Sequence, residues 1–154
     1  MQVRSAMLDH PLTTTPEETF GSLLERMLPC RQATAAVLDA GGRLVGLVGV
    51  HDVLRKIVPL YVDLDSRLME VMHESYFEER LAHLKDTKVT DFMTPVSAVD
   101  SVAPDDTLMK AVVIIVENRR KTLPVLDHGK YVGMITRRSI LDKIGQLLLG
   151  HGGG

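Results

Sequence analysis

Two segments of the sequence place polar side chains directly after a glycine and a short apolar run. The first reads Gly46-Leu47-Val48-Gly49-Val50-His51-Asp52, and the second reads Gly133-Met134-Ile135-Thr136-Arg137-Arg138-Ser139. A hydroxyl beside the start of a helix can bind phosphate, and a carboxylate can accept hydrogen bonds from two hydroxyl groups of a ligand. The alternative is that Asp52 and Ser139 only cap the helices that follow, and that Thr136 only serves the turn.

Other kinds of chemistry find little support in the residues. The six His residues lack the spacing of a metal site, and Cys30 is a single cysteine. The sequence contains no phosphate-binding loop, no dinucleotide-binding glycine pattern and no nucleophile elbow. We therefore predict no catalytic residues and no metal ligands. A redox or metal-dependent enzyme would have to draw on these scattered side chains.

The composition is typical of a soluble globular protein. The chain has 154 residues, of which 45% are hydrophobic and 25% charged, and its formal net charge is −2. This balance argues against non-specific nucleic-acid binding, which needs a clustered basic surface. The apolar run at 111–116 is far shorter than a membrane helix, and a single cysteine favours a reducing compartment. We expect a cytoplasmic protein that binds neither nucleic acid nor membrane.

The second half of the sequence repeats the first half. Residues 42–57 and 129–144 are identical at six of sixteen positions, at an offset of 87. Two further pairs recur in the same order: TPEETF (15–20) with APDDTL (103–108), and VLD (37–39) with VLD (125–127). Because these matches keep nearly the same offset, the chain contains two copies of one structural unit.

Each half predicts the same order of secondary structure. An acidic turn after Pro16 or Pro104 opens a helix with an apolar stripe, and in the first half we expect Pro29 to end this helix. Two short apolar runs joined by a glycine turn then predict a β-hairpin, and a second amphipathic helix follows. The fold class is therefore α/β, with an α-β-β-α unit in each half.

Residues 59–88 connect the two halves. They are rich in Glu, Leu and Met, and they contain no glycine. Apolar residues recur at helical spacing, which predicts a helical spacer with a packing surface: Leu64, Leu68, Met72, Phe77, Leu81 and Leu84. This surface could cover the repeats or contribute to a dimer contact.

Taken together, these features resemble a tandem pair of cystathionine-β-synthase (CBS) domains, also called a Bateman module. The resemblance covers residues 3–58 and 89–148, with the spacer at 59–88 between them. It is strongest in the second half, in the segments VTDFMTP, SVAPDDTLMKAV, TLPVLD and GMITRRS. The resemblance implies two repeats, each with a small three-stranded sheet and two helices, packed around a pseudo-two-fold axis.

The resemblance also implies a function. We expect a non-enzymatic regulatory module, assembled as a homodimer, that passes its signal to a separate effector protein. Relatives bind adenosine-containing ligands of the AMP, ADP, ATP or S-adenosylmethionine type in the cleft between repeats, and no cofactor is required. The alternative is a ligand-free module for dimerisation or protein interaction.

The family's ligand signature is Gly-h-h-Thr/Ser-x-x-Asp, where h is an apolar residue. The second repeat keeps the hydroxyl at Thr136 but has Ser139 where the ribose-binding Asp is expected. The first repeat keeps Asp52 but has Gly49 in place of the hydroxyl. We expect the second repeat to hold the stronger site, with Thr136 as its anchor. The remaining predicted ligand-binding residues are Arg137 and Arg138 for phosphate, Ser101 and Thr122 for the purine, and Thr14 and Thr34 as first-repeat counterparts of Ser101 and Thr122.

Overall fold

The computed structural model describes residues 1–58 and 75–150, which form two compact units. The first unit comprises Leu12–Val37 and Gly46–Pro95. The second unit comprises Met1–Pro11, Leu38–Val45 and Val96–Gly154. Three residues of the predicted spacer helix, Leu64, Leu68 and Met72, lie outside the described residues.

The first unit carries most of a four-stranded sheet and three helices. Its elements in chain order are β1 (Thr13–Thr14), α1 (Phe20–Cys30), β2 (Thr34–Leu38), β3 (Leu44–Gly49), α2 (Val50–Ile57), α3 (Tyr76–Lys85) and β4 (Thr94–Pro95). The strand order is β1-β2-β3-β4, with β1 parallel to β2 and β4 antiparallel to β3. Helix α1 buries Phe20, Leu23 and Met27, which lie on one face at helical spacing.

Helix α1 does not end at Pro29, so that prediction is wrong. The helix continues to Cys30, and Arg31 then adopts a left-handed conformation with φ 55°. The Arg31 N–H donates to the Leu28 carbonyl at 3.4 Å. Proline removes one backbone donor, but in the last turn few helical bonds remain to be lost, so the left-handed residue ends the helix instead.

Within the described part of the predicted spacer, residues 75–88, Tyr76–Lys85 form a helix. Helix α3 packs against α1 and α2, and Leu84 is buried in this contact region. The Arg80 guanidinium donates to the Lys56 carbonyl at 2.7 Å, which ties α3 to the end of α2. Across the two described stretches, the structure has no helix that is long and apolar enough to cross a membrane.

The second unit contains a β-hairpin and two helices. Its elements are α4 (Leu108–Glu117), β5 (Thr122–Asp127), β6 (Lys130–Thr136) and α5 (Arg137–Leu149), with 3₁₀ turns at Val3–Ala6 and Val96–Ala98. Strands β5 and β6 are antiparallel, and Val102 forms a single parallel bridge to Val125. The α/β class is confirmed, but the strands divide as four and two instead of three in each repeat.

The repeats exchange their opening segments, so each unit receives one added segment. The strand counts differ because the second unit has a single bridge at Val102 and a hydrogen bond at Leu8 where the first unit has paired strands. We call residues 2–9 the first lead-in and residues 88–95 the second lead-in. The first lead-in belongs to the second unit, where Val3 N–H donates to Asp106 O at 2.9 Å and Leu8 N–H to Met134 O at 2.8 Å. The second lead-in belongs to the first unit and supplies β4 as an added strand.

The exchanged segments complete the cores of their host units. Val3 and Val89 are each 0% exposed. Val3 joins a cluster whose other buried members are Ala6, Val102, Ala111, Ile115, Leu123, Val125 and Ile135. Val89 is held by its N–H, which donates to the Glu18 carbonyl at 2.9 Å. Each unit therefore combines most of the body of one repeat with the lead-in of the other.

Candidate functional site

The carboxylate of Asp52 is oriented by two hydrogen bonds at the start of helix α2. One oxygen, Oδ2, accepts the Gly49 N–H at 2.8 Å, and the other, Oδ1, accepts the Thr94 hydroxyl at 2.7 Å. Thr94 comes from β4, so the second lead-in helps to position this side chain. Each carboxylate oxygen can accept more than one hydrogen bond, and Asp52 is only half-buried. The group can therefore still accept hydroxyl groups of a ligand.

The Thr34 side chain supplies a hydroxyl close to Gly49, where the ligand signature would have one. A β-carbon at position 49 would lie 3.3 Å from the Thr34 hydroxyl oxygen. Thr34 begins β2 and is half-buried, and within the described stretches its hydroxyl forms no hydrogen bond. The Val50 N–H donates to Ala33 O at 3.2 Å and holds α2 beside this strand. Thr34, Gly49, Asp52 and Thr94 thus form one polar site, which we call the Asp52 site.

Thr14, a predicted purine-contacting residue, is buried close to the start of α1. It is 4% exposed, and its hydroxyl donates to the Glu18 carboxylate at 2.5 Å. Glu18 also receives the Ser22 hydroxyl at 2.7 Å and the Arg26 guanidinium. Burial would raise the pKa of Glu18, but the hydrogen bonds from Arg26, Thr14 and Ser22 outweigh it and lower the pKa. The Thr14 hydroxyl therefore takes part in the hydrogen-bond network around Glu18 at the start of α1.

The strand register also corrects the pairing of Thr14 with Ser101. Thr14 lies opposite Val37, and Val102 lies opposite Val125. Since the VLD segments at 37–39 and 125–127 correspond, the counterpart of Thr14 is Val102, and that of Ser101 is Thr13. The predicted pairing is one residue out of register, and successive strand residues point to opposite faces.

In the second unit, Thr136 and Ser139 form a reciprocal capping box at the start of α5. The Thr136 hydroxyl accepts the Ser139 N–H at 2.9 Å, and the Ser139 hydroxyl accepts the Thr136 N–H at 2.9 Å. Ser139 is 7% exposed. The N-caps are Thr136 and Gly49, so α5 and α2 begin three residues before Ser139 and Asp52. The suggestion that Ser139 and Asp52 are themselves N-caps is wrong, although both bond to the capping residue.

Of two further predicted residues, one pairs with Thr136 and the other lies beside the same hairpin. Thr122 is half-buried and pairs with Thr136 across the β5–β6 hairpin. Ser101 is exposed and directly precedes Val102, which bridges to β5. The structure therefore brings Thr122 to Thr136 and places Ser101 on the segment beside the same strand.

The basic residues around Thr136 are partly neutralised. Arg120 Nε donates to Asp100 Oδ2 at 2.8 Å, and Arg138 Nε donates to Asp142 Oδ1 at 3.0 Å. The bond from Arg120 is the largest cause that lowers the pKa of Asp100, with Asn118 adding a second bond. Arg137 Nε instead donates to the Arg120 carbonyl at 3.2 Å, which leaves its charge without a carboxylate partner in the part of the chain that is described.

The duplicated fold and the paired strand-to-helix turns place the chain in a known family. The family model for the CBS domain matches residues 3–59 and 89–146, so the chain belongs to the CBS domain family as a tandem pair. This confirms the family that the sequence resembles.

Similar proteins occur in archaea and plants. The chain is 32% identical to the uncharacterized protein MJ1426 of Methanocaldococcus jannaschii, over 71% of this chain and 71% of that protein. It is 29% identical to the chloroplastic CBS domain-containing protein CBSX1 of Arabidopsis thaliana, over 82% of this chain but only 56% of that protein. The crystal structure of CBSX2 in complex with AMP has the same fold, with a TM-score of 0.69, 23% identity, 95% of this chain covered and 97% of that chain.

Proposed function

We propose that this CBS pair is a non-enzymatic regulatory module that binds an adenosine-containing ligand at the Asp52 site. The observation that carries the proposal is the Asp52 carboxylate, which Gly49 N–H and the Thr94 hydroxyl hold in place. A carboxylate fixed before binding loses little entropy when it accepts the two hydroxyl groups of a ribose. That the related CBSX2 has been crystallised in complex with AMP supports the choice of ligand class.

The proposal moves the stronger site from the second repeat to the first unit. Ser139 has no charge, is buried, and its hydroxyl belongs to the capping box of α5. Hydrogen bonds to a charged acceptor stabilise a complex by about 1.5–3 kcal/mol each, against about 1 kcal/mol between neutral groups. A ribose therefore gains more at Asp52 than at Ser139, and the free hydroxyl of Thr34 adds a second polar contact.

The ligand acts through a shift in population. Binding at Asp52 adds contacts to a side chain that already joins the start of α2 to the second lead-in, so it favours the state in which this lead-in is docked. We propose that a separate effector protein responds to this state.

Titration with AMP, ADP, ATP and S-adenosylmethionine tests the ligand class. The protein is unfolded, freed of any bound nucleotide and refolded before calorimetry and thermal unfolding. We expect at least one of these ligands to bind, and at about 100 times its Kd to stabilise the protein by about 2.7 kcal/mol. GMP serves as the matched control for the base. The absence of both heat and stabilisation with all four ligands would contradict the proposal.

A second candidate function, a ligand-free dimerisation module, is favoured by the apolar surface of α5. Leu141, Ile144, Leu147 and Leu148 are all exposed, with Leu148 at 76%. Surfaces of this kind are typical of helices that pack against a partner. We therefore propose a homodimer in either case, and the ligand titration separates the two functions.

The dimer proposal predicts the effect of charge on this helix. The double variant Leu141→Glu/Leu148→Glu places two carboxylates on the apolar face, and we expect it to be a monomer where the wild type is a dimer. Analytical ultracentrifugation measures the mass of both. Val132→Glu, a similar change at an exposed position of β6, is the control and should remain dimeric. A wild type that sediments as a monomer at all accessible concentrations would rule out the dimer.

A further inference from the structure

A polar cavity of about 260 Å³ lies within the second unit, between the first lead-in and helix α5. Residues 5–9 form one wall, and the other wall is formed by Ser139, Asp142, Lys143 and Gln146. These helix residues are spaced i, i+3, i+4 and i+7, so they lie on one face of α5. Ser139 also belongs to the predicted ligand-binding residues of the second repeat, whereas the ligand signature of the family does not include Asp142, Lys143, Gln146 or the lead-in. The cavity therefore begins at Ser139 and extends beyond the signature residues.

The cavity contains opposite charges that do not neutralise each other. Lys143 is half-buried, and no carboxylate of residues 1–58 or 75–150 lies within 4.0 Å of its ammonium group. Asp142, its neighbour on the helix, is bound instead by Arg138 Nε at 3.0 Å. On the lead-in wall, Asp9 also forms no ion pair with another described residue. A half-buried ammonium group has lost part of its hydration, so an anion brought to it is stabilised more than it would be at a fully solvated lysine.

The size and lining of the cavity limit what it can hold. Ligand pockets for drug-sized molecules are about 300–1,000 Å³, so a cavity of about 260 Å³ suits a smaller molecule. Lys143 offers a cation on one wall, and Asp9 an anion on the other. The lead-in wall also includes the apolar residues Ala6, Met7 and Leu8, which can contact a short side chain.

We propose that this cavity binds a small zwitterion of the α-amino-acid class, with its carboxylate on Lys143 and its ammonium group on Asp9. The amide group of Gln146 lies one helical turn from Lys143 and can bond the same carboxylate. Such a ligand contacts both walls at once. It therefore favours the docked state of the first lead-in, which the Leu8 N–H to Met134 O hydrogen bond already holds to β6.

Calorimetric titration of the full chain with glycine, L-leucine, L-glutamate and L-lysine tests this proposal. Acetate and methylammonium each carry one of the two charges and serve as probes of two-point binding. We expect at least one amino acid to bind, and acetate and methylammonium to bind at least about tenfold more weakly, because each lacks one charge pair. Hydrogen exchange at the Leu8 amide should slow when the amino acid is bound, which locates the site.

Variants on the two walls give matched comparisons. Lys143→Gln and Asp9→Asn should each weaken amino-acid binding about tenfold or more, because each removes one charge pair. Lys130→Gln and Asp105→Asn make the same changes at exposed positions of the second unit outside the cavity, and should leave the binding unchanged. Failure of all four amino acids to bind, binding of acetate as tight as theirs, or equal losses in the control variants would overturn the proposal. Asp52→Asn should leave amino-acid binding intact, so this result is independent of the adenosine ligand.

Discussion

Asp52→Asn is expected to weaken the binding of the adenosine ligand about hundredfold while leaving the ligand-free protein folded. The loss follows because the ribose hydroxyl groups lose a charged acceptor, and two such hydrogen bonds are together equivalent to about a hundredfold in affinity. The fold should survive because the Asn carbonyl can accept the Gly49 N–H and the Asn amide can donate to the Thr94 hydroxyl oxygen, so both observed contacts persist. Calorimetric titration gives the affinity, and urea unfolding gives the stability.

The second repeat offers the converse experiment. Ser139→Asp restores the full ligand signature beside Thr136, and in the first unit Asp52 at the same position bonds the backbone of its capping residue. The new carboxylate should therefore cap α5 and add a second binding site. If Asp52→Asn binds the adenosine ligand as tightly as the wild type, Asp52 is not the ribose-binding group. A single site that is retained in Asp52→Asn but lost in Thr136→Ala would show that the ligand binds in the second repeat.

Gly46→Ala is expected to destabilise the protein by about 3 kcal/mol, at the upper end of the usual cost of overpacking. A β-carbon at position 46 would lie 2.6 Å from the Thr94 carbonyl oxygen and 2.8 Å from Met93 Sδ. The oxygen belongs to β4, which pairs with β3 at Gly46, so it cannot retreat without separating these strands. Movement of Thr94 would also disturb its hydrogen bond to Asp52, so affinity for the adenosine ligand should fall as well.

Gly133→Ala provides a matched comparison, because Gly133 has the same place in the other repeat. There the obstructing atom is Met7 Cε at 1.9 Å, the far end of a flexible side chain that can change rotamer. We expect this variant to lose only about 1 kcal/mol. At Gly145 in α5, the new carbon would have no described atom within 4 Å outside its own stretch of helix backbone, so Gly145→Ala should gain about 0.5–1 kcal/mol. Urea unfolding of the three variants measures these differences, and equal losses at positions 46 and 133 would contradict the explanation.

Local patterns were sufficient to predict the elements of each repeat. The apolar spacing of Phe20, Leu23 and Met27 places them on the buried face of α1, and the glycine turns mark both hairpins. Such patterns depend on residues that are close in the sequence, so they can be read without knowing the tertiary structure. The end of α1 was misjudged because a proline in the last turn removes little, whereas the left-handed conformation of Arg31 gives no sequence signal.

The residues that make up the Asp52 site come together through contacts between distant parts of the sequence. These contacts could not be predicted from local patterns. Asp52 was identified from the signature, but its partner Thr94 lies 42 positions away in a segment of the other repeat. The segments VRSAM (3–7) and VTDFM (89–93) are similar, so both repeats have a lead-in, but this similarity does not show which repeat each lead-in packs against. The Thr34 hydroxyl lies close to the place where the signature hydroxyl is missing at Gly49. This proximity likewise depends on the tertiary contact that holds the start of α2 beside β2.

Because the lead-ins are exchanged, the chain cannot be divided between its two repeats without loss of core residues. A cut anywhere within residues 59–74 would produce two fragments, and each would carry away the segment that fills the core of the other. Val3 and Val89, both fully buried, would then be exposed to water at the end of the wrong fragment. The two repeats are consecutive in the sequence but share their cores in the protein. Deleting either repeat, or expressing it alone, therefore removes a buried segment from the core of the other.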